Sequence, residues 1–180
     1  MSTPPTIQRQ ASALEATEVL PIETGKSIWI PGTDRVWEEA TVMAIGELKV
    51  TARSKAGKIQ QVDRGLALPL NPRVTDDMTA LYYIHEAGVL HNLEERSKLD
   101  NPRPYTFMAN VLIAVNPLQP IPNPRVGEIL NNSNCPPHPY SVAELAYQQM
   151  AYNASAEMPT NQSVVISGEV SLALINWICS

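Results

Sequence analysis

Cysteine is nearly missing: Cys135 and Cys179 are the only two in 180 residues. Two thiols cannot build the bridged framework of a small secreted domain, so a packed core must hold the fold, and a reducing compartment suits the chain. Charge is sparse as well, with 13 Lys and Arg against 18 Asp and Glu and a net charge of −5. That balance excludes the basic stripe that nucleic-acid binding requires. No apolar run approaches the roughly 20 residues that span a bilayer. The opening "MSTPPTIQRQASALEA" also lacks the apolar stretch of a signal peptide. A cytoplasmic chain with no membrane span and no nucleic-acid partner is expected. Histidine is scarce too. His85 and His91 are not spaced to share a helix face, and Cys135 with His138 makes a C-x-x-H pair without the second pair that a closed zinc site needs.

What is abundant is apolar residues, 44% of the chain, and proline, sixteen in all. The prolines gather in "NPRP", "NPLQPIPNP" and "CPPHP". Each reads as an extended surface loop, because proline removes a backbone donor and restricts the residue before it. Residues 1–26 are polar and without sustained periodicity, and are expected to form a flexible arm.

From Ser27 onward the texture is that of short strands. "SIWI", "VWEEATVMAI", "ELKVTARS" and "KIQQV" are rich in β-branched and aromatic residues and are separated by "PGTD", "GE" and "KAGK". Leu48, Val50 and Ala52 alternate with Lys49, Thr51 and Arg53, the period of a half-buried strand. The spacing predicts a small antiparallel barrel over 27–70, with Trp29 and Trp37 in its core.

Past Pro72 the period becomes helical. Within "TDDMTALYYIHEAGVLHNLEERSK", Thr75 or Asp76 is the expected N-cap and Met78, Leu81, Tyr82, Val89, Leu90 and Leu93 the buried face. Gly88 is a candidate break, and Glu94, Glu95 and Arg96 read as a solvated face. "YTFMANVLIAVN" is almost continuously apolar and predicts one strand covered on both sides. A further helix is expected from Ser141, capped by a Ser141–Glu144 box, with Val142, Leu145, Ala146 and Met150 on one face. "SVVIS" predicts another buried strand.

That last strand runs into "SGE", the one motif with chemical promise. A phosphate loop needs glycines for close backbone approach, a lysine for the β- and γ-phosphates and a hydroxyl for magnesium. Gly168 fills its place, but the second glycine position holds Ala173, the lysine position Leu174 and the hydroxyl position Ile175. By residue type this is a strand with a glycine turn, not a working phosphate site.

Taken together, "SIWIPGTDRVWEEATV", "DDMTALYYIHEAGVLHNLEER", "YTFMANVLIAVNP", "PHPYSVAELAYQQM" and "NQSVVISGE" resemble, in order and spacing, the beginning of a myosin heavy chain. The resemblance runs from about Ser27 to Glu169. It implies an α+β fragment: a Src-homology-3-like barrel over 27–70, then over 71–169 the first helices and strands of an α/β phosphate-loop motor. The parent family moves on actin by hydrolysing ATP with Mg2+, carries light chains and is cytoskeleton-associated. Carried over by position, Asn116 and Pro117 fall on the adenine loop, and Ser167, Gly168 and Glu169 on the start of the phosphate loop. Gln119 stands where the family commonly has a basic residue, and Pro124 where it often has a tyrosine against adenine. The family continues Ser-Gly-Ala-Gly-Lys-Thr where this chain has Val170 to Ile175. The match stops at once instead of fading, which implies that residues 170–180 are a non-cognate tail, as from a retained intron, a frameshift or a gene-model error. This chain alone is expected to be a non-catalytic motor fragment with a vestigial ATP site, no tight nucleotide binding and no metal. The alternatives are an interaction module using the barrel, or a degenerate adenine-binding module.

Overall fold

A computed structural model describes residues 21–99, 104–130, 136–152 and 161–168. The chain divides into two compact units, Met1–Pro69 and Leu70–Ser180.

In the first unit the short β-rich runs become β1 (Ser27–Pro31), β2 (Trp37–Ile45), β3 (Lys49–Ser54), β4 (Ile59–Asp63) and β5 (Leu68–Pro69). They form one antiparallel sheet in the order β4-β3-β2-β1-β5, so the last strand returns to lie beside the first. This is the small barrel-like meander that the strand spacing predicts. Its core is Ile28, Ile30, Ala40, Val42, Val50, Ala52 and Ala67, with Ile22, Ile45 and Val62 packed against it.

Period-two alternation explains most of that list, and a bulge explains the rest. Val42 pairs with Ala52 and Ile45 with Val50, with a register shift between Val42 and Ala44. The extra residue lets Val42 and Ile45, three apart, both reach the core, while Met43 is left exposed. Upstream of β1, Gly25 N–H donates to Val42 O and Val42 N–H to Lys26 O, each at 2.9 Å. The β3–β4 turn places Gly57 at φ +84°, a conformation that side chains with a Cβ resist.

The sheet corrects three expectations. Trp29 is buried but lies outside the core cluster. It pairs with Glu39 and Leu68, on the face of β1 opposite Ile28 and Ile30. Trp37 is half-buried on that same parity, opposite Pro31. Leu48 precedes β3 and is exposed, so the alternation there begins at Val50.

The second unit contains α1 (Glu86–Ser97), the hairpin β6 (Tyr105–Met108) and β7 (Val111–Ala114), α2 (Val126–Leu130) and α3 (Pro139–Tyr152). The helical stretch expected over 75–98 is a 3-10 turn at Met78–Ala80 and then α1. The cap of the 3-10 turn is Asp77, whose Oδ1 accepts from Thr79 N–H at 2.9 Å, not Thr75 or Asp76. Gly88 is not the break. It lies in the first turn of α1, where a Cβ would come 2.5 Å from Asn71 Nδ2 and 3.2 Å from Tyr83 O.

"YTFMANVLIAVN" is a hairpin, not one long strand. Met108 pairs with Val111, and Ala109 takes φ +53° in the two-residue turn. The expected box at Ser141 is replaced as well. Pro139 opens α3, its fixed φ suiting a first helical residue. Ser141 Oγ donates to Pro136 O at 2.8 Å. Leu145 and Met150, expected to be buried, are exposed. Residues 161–168 carry no regular secondary structure, and Val164, Val165 and Ile166 are exposed, Val165 by 86%. A buried parallel strand requires neighbours on both sides, and among the described residues no strand pairs with this segment.

Candidate functional site

The candidate site residues lie on two segments. The first follows β7, and how it is held begins with α1. The buried side of α1 is polar: Ala87, Gly88, Asn92 and Arg96 are its buried residues. Gly88, Asn92 and Arg96 recur every fourth residue, a stripe as regular as an apolar one. Asn92 clamps a backbone segment with both ends of its amide: Oδ1 accepts from Thr75 N–H at 2.7 Å and Nδ2 donates to Thr75 O at 3.1 Å. Asn71 does the same to Tyr83, accepting at 2.7 Å and donating at 2.9 Å. Arg96 is 3% exposed. Its Nε donates to Thr106 Oγ1 at 2.9 Å, its Nη2 to Tyr105 O at 2.8 Å, and its Nη1 pairs with Asp76. The residue expected on a solvated face therefore ties α1 to β6. A charge this deep is tolerated because the planar fork has an acceptor for each donor group.

On the other side of β6, Phe107 N–H donates to Asp76 O at 2.8 Å, and Asp77 bridges to Phe107. Asp77 is half-buried, and the Thr79 backbone N–H, then the Thr79 hydroxyl, hold its carboxyl below the usual range. Val115 N–H donates to Pro104 O at 2.8 Å, closing the hairpin base directly before Asn116 and Pro117.

Asn116 is exposed and Pro117 half-buried. The Asn116 side chain is used locally, Oδ1 accepting from Leu118 N–H at 2.9 Å with Leu118 at φ +55°. This is an Asx turn, which satisfies a loop that has no strand partner. Gln119 is exposed and Pro124 half-buried. Asn123 Nδ2 donates to Tyr140 Oη at 2.9 Å, joining this loop to α3. Arg125 N–H donates to Glu128 Oε2 at 3.2 Å and starts α2, a helix that apolar periodicity had not suggested.

His138 starts α3. Its Nδ1 accepts from Tyr140 N–H at 3.2 Å, and its ring lies 5.1 Å from Tyr105 and 4.5 Å from Tyr140. Burial lowers the pKa of His138 and raises that of Tyr105. This histidine is therefore a helix cap inside an aromatic contact, and among the described residues no cluster of His, Cys, Asp and Glu could hold a metal ion.

The second segment supplies Ser167 and Gly168, both exposed; Glu169 lies outside the described residues. A Cβ on Gly168 would meet nothing within 4 Å, so no close approach there requires glycine. Among the described residues no hydrogen bond or ion pair joins 161–168 to the Asn116–Pro117 loop. Arg96, Asn92, Asn71 and His138 were missed as anchors. Their signal was a polar stripe at helical spacing and a histidine before Pro139, both invisible to a search for apolar periodicity.

A barrel-like sheet followed by a helix, a hairpin and further short helices defines the opening of a larger mixed fold. The myosin head (motor domain) family matches residues 75–172. The chain is 30% identical over 158 residues to Myosin-13 of Arabidopsis thaliana, covering 82% of this chain and 10% of that protein. It is 34% identical over 160 residues to unconventional myosin-Va of Gallus gallus, covering 79% and 8%. Myosin-17 of Arabidopsis thaliana is 32% identical over 158 residues, covering 82% and 10%. The chain belongs to the myosin head family. It spans about a tenth of the length of the curated relatives it matches. Among the described residues no helix is long and apolar enough to cross a membrane.

Proposed function

We propose that the chain is an opening fragment of a myosin motor and is inactive on its own. In this reading the parent protein is a cytoskeletal motor that hydrolyses ATP with Mg2+ to move on actin and carries light chains. Residues 27–70 are its barrel, 71–169 the beginning of its motor, and 170–180 a non-cognate tail after the arm, barrel and motor segments. Asn116, Pro117, Ser167, Gly168 and Glu169 are a vestigial ATP site.

The observation that carries the proposal is the residue set after Gly168. Phosphoryl transfer depends on a lysine and a metal that hold the β- and γ-phosphates in place. Leu174 and Ile175 offer neither a cation nor a hydroxyl, and Ala173 replaces the glycine that lets the backbone approach. Magnesium and a triphosphate do not fit these residues, and no catalytic step is assigned to them. Two features of the described segments agree: Asn116 spends its amide oxygen on Leu118, and Ser167 and Gly168 are exposed. The family match also ends at residue 172, three residues past Glu169 (172 − 169).

Genomic sequence past the Glu169 codon is the test. An exon resuming with Ser-Gly-Ala-Gly-Lys-Thr is expected, and its absence would refute replacement of the loop. Magnesium-dependent ATP turnover, or saturable nucleotide binding, by the purified chain would refute inactivity; saturable adenosine binding without turnover would instead favour the degenerate adenine module. The self-contained core of the sheet favours a second reading, an interaction module carried by the barrel.

A further inference from the structure

His138 joins three parts of the second unit through one side chain. Its ring contacts Tyr105 on β6, its Nδ1 caps α3, and Tyr140, whose ring is tilted against it, accepts from Asn123 in the loop after β7. We propose that His138 is a proton-operated latch: neutral imidazole holds the first turn of α3 to β6, and imidazolium releases it.

Nδ1 can accept from Tyr140 N–H only while it keeps its lone pair, which places the ring proton of neutral His138 on Nε2. Protonation puts a hydrogen on Nδ1, and two donors then face each other. The new charge also sits at the positive end of α3, where the helix dipole opposes it. His138 is 7% exposed, so solvating the ion requires the turn to open. The titratable groups facing it are the phenols of Tyr105 on β6 and Tyr140 on α3. Among the described residues no salt bridge joins a carboxylate to His138, and burial holds its pKa down.

The sign follows from linkage. Folding lowers the pKa of His138, so the opened turn binds the proton more readily. The cap is at full strength above the ordinary value of about 6.5 and weakens as pH falls below it toward the lowered folded value. His85 caps α1 by the same device, Nδ1 accepting from Gly88 N–H at 3.0 Å, but it is only half-buried, and the proposal rests on His138.

The experiment is hydrogen exchange on the whole 180-residue chain. Protection factors for the amides of Tyr140 to Ala143 are compared about one unit above and one unit below pH 6.5, in the wild type and in His138→Asn. Asparagine caps through Oδ1 at either pH and does not titrate. The wild type is expected to lose up to about tenfold in protection across the interval, as the opened turn takes up the proton. The asparagine variant is expected to hold a constant value. If that variant does not fold, His138→Ser supplies the same comparison. Equal losses in wild type and variant, no loss in the wild type, or no protection of this turn at either pH would each overturn the proposal.

Discussion

Arg96 donates through Nε to Thr106 Oγ1 at 2.9 Å, and this bond fixes α1 against the hairpin that leads to Asn116. Replacing Arg96 with Met would leave Thr106 Oγ1 and the Tyr105 carbonyl without their donor and Asp76 without its cation. Because Asp76 is partly exposed, water recovers some of that loss, and a cost of about 3 kcal/mol to the second unit is expected. Arg96→Lys should recover less than half, since an ammonium cannot reproduce the fork. Denaturant unfolding of both variants measures this; equal stability to wild type would contradict the pin.

Gly88 and Gly168 should respond oppositely to alanine. At Gly88 the added Cβ would meet Asn71 Nδ2 at 2.5 Å, and a loss of about 1–3 kcal/mol is expected. At Gly168 the site is open, and Gly168→Ala should leave thermal unfolding unchanged within about 0.5 kcal/mol. A reversed order would show that α1 does not approach Asn71 as described.

Acid should loosen the 3-10 turn at Met78–Ala80. The Asp77 carboxyl is held low by the Thr79 backbone N–H, so its contribution is present above the ordinary value and lost as pH falls toward the folded one. Asp77→Ala should abolish that dependence. The Thr79 amide, followed by NMR from neutral pH downward, is the probe, and a titration surviving in Asp77→Ala would exclude the cap as its source.

In the first unit Ile30 is fully buried and Val36 is 67% exposed. Ile30→Ala should cost about 2–5 kcal/mol and Val36→Ala less than about 0.5. Tryptophan fluorescence during denaturation reports both, because Trp29 and Trp37 lie on the same sheet.

Among the described residues, limited proteolysis should cut first at Val164–Ile166, where no described strand pairs and the apolar side chains are exposed, and last within 27–69. Early cleavage inside β2 or β3 would contradict the order.

The barrel was the most legible part of the chain. Val50 and Ala52 lie on the buried face that their alternation predicts, and the turns at "GE" and "KAGK" separate the strands. What alternation could not show was which face holds the tryptophans, since the bulge after Val42 and the pairing of Trp29 with Glu39 and Leu68 are cross-strand facts. In the second unit, periodicity located a helix but misassigned its start and its buried side. Leu90 is exposed while Asn92 and Arg96 are buried, because the groups beneath α1 are backbone amides and carbonyls that demand polar partners. Of the candidate site, Asn116 and Gly168 were identified by position alone; nothing in that position foretold that Asn116 would bond to its own loop.

The sequence by itself determined the run of barrel strands over 27–63, the family to which the chain belongs and the side-chain types missing after Gly168. Those follow from residue identity and local spacing, which need no third dimension. Tertiary structure decided that "YTFMANVLIAVN" folds back at Ala109 and that Arg96 and His138 are buried anchors. It also leaves Val164 to Ile166 exposed. Each of those outcomes depends on whether a partner surface is present to satisfy or cover the group, and a linear pattern records the group without its partner.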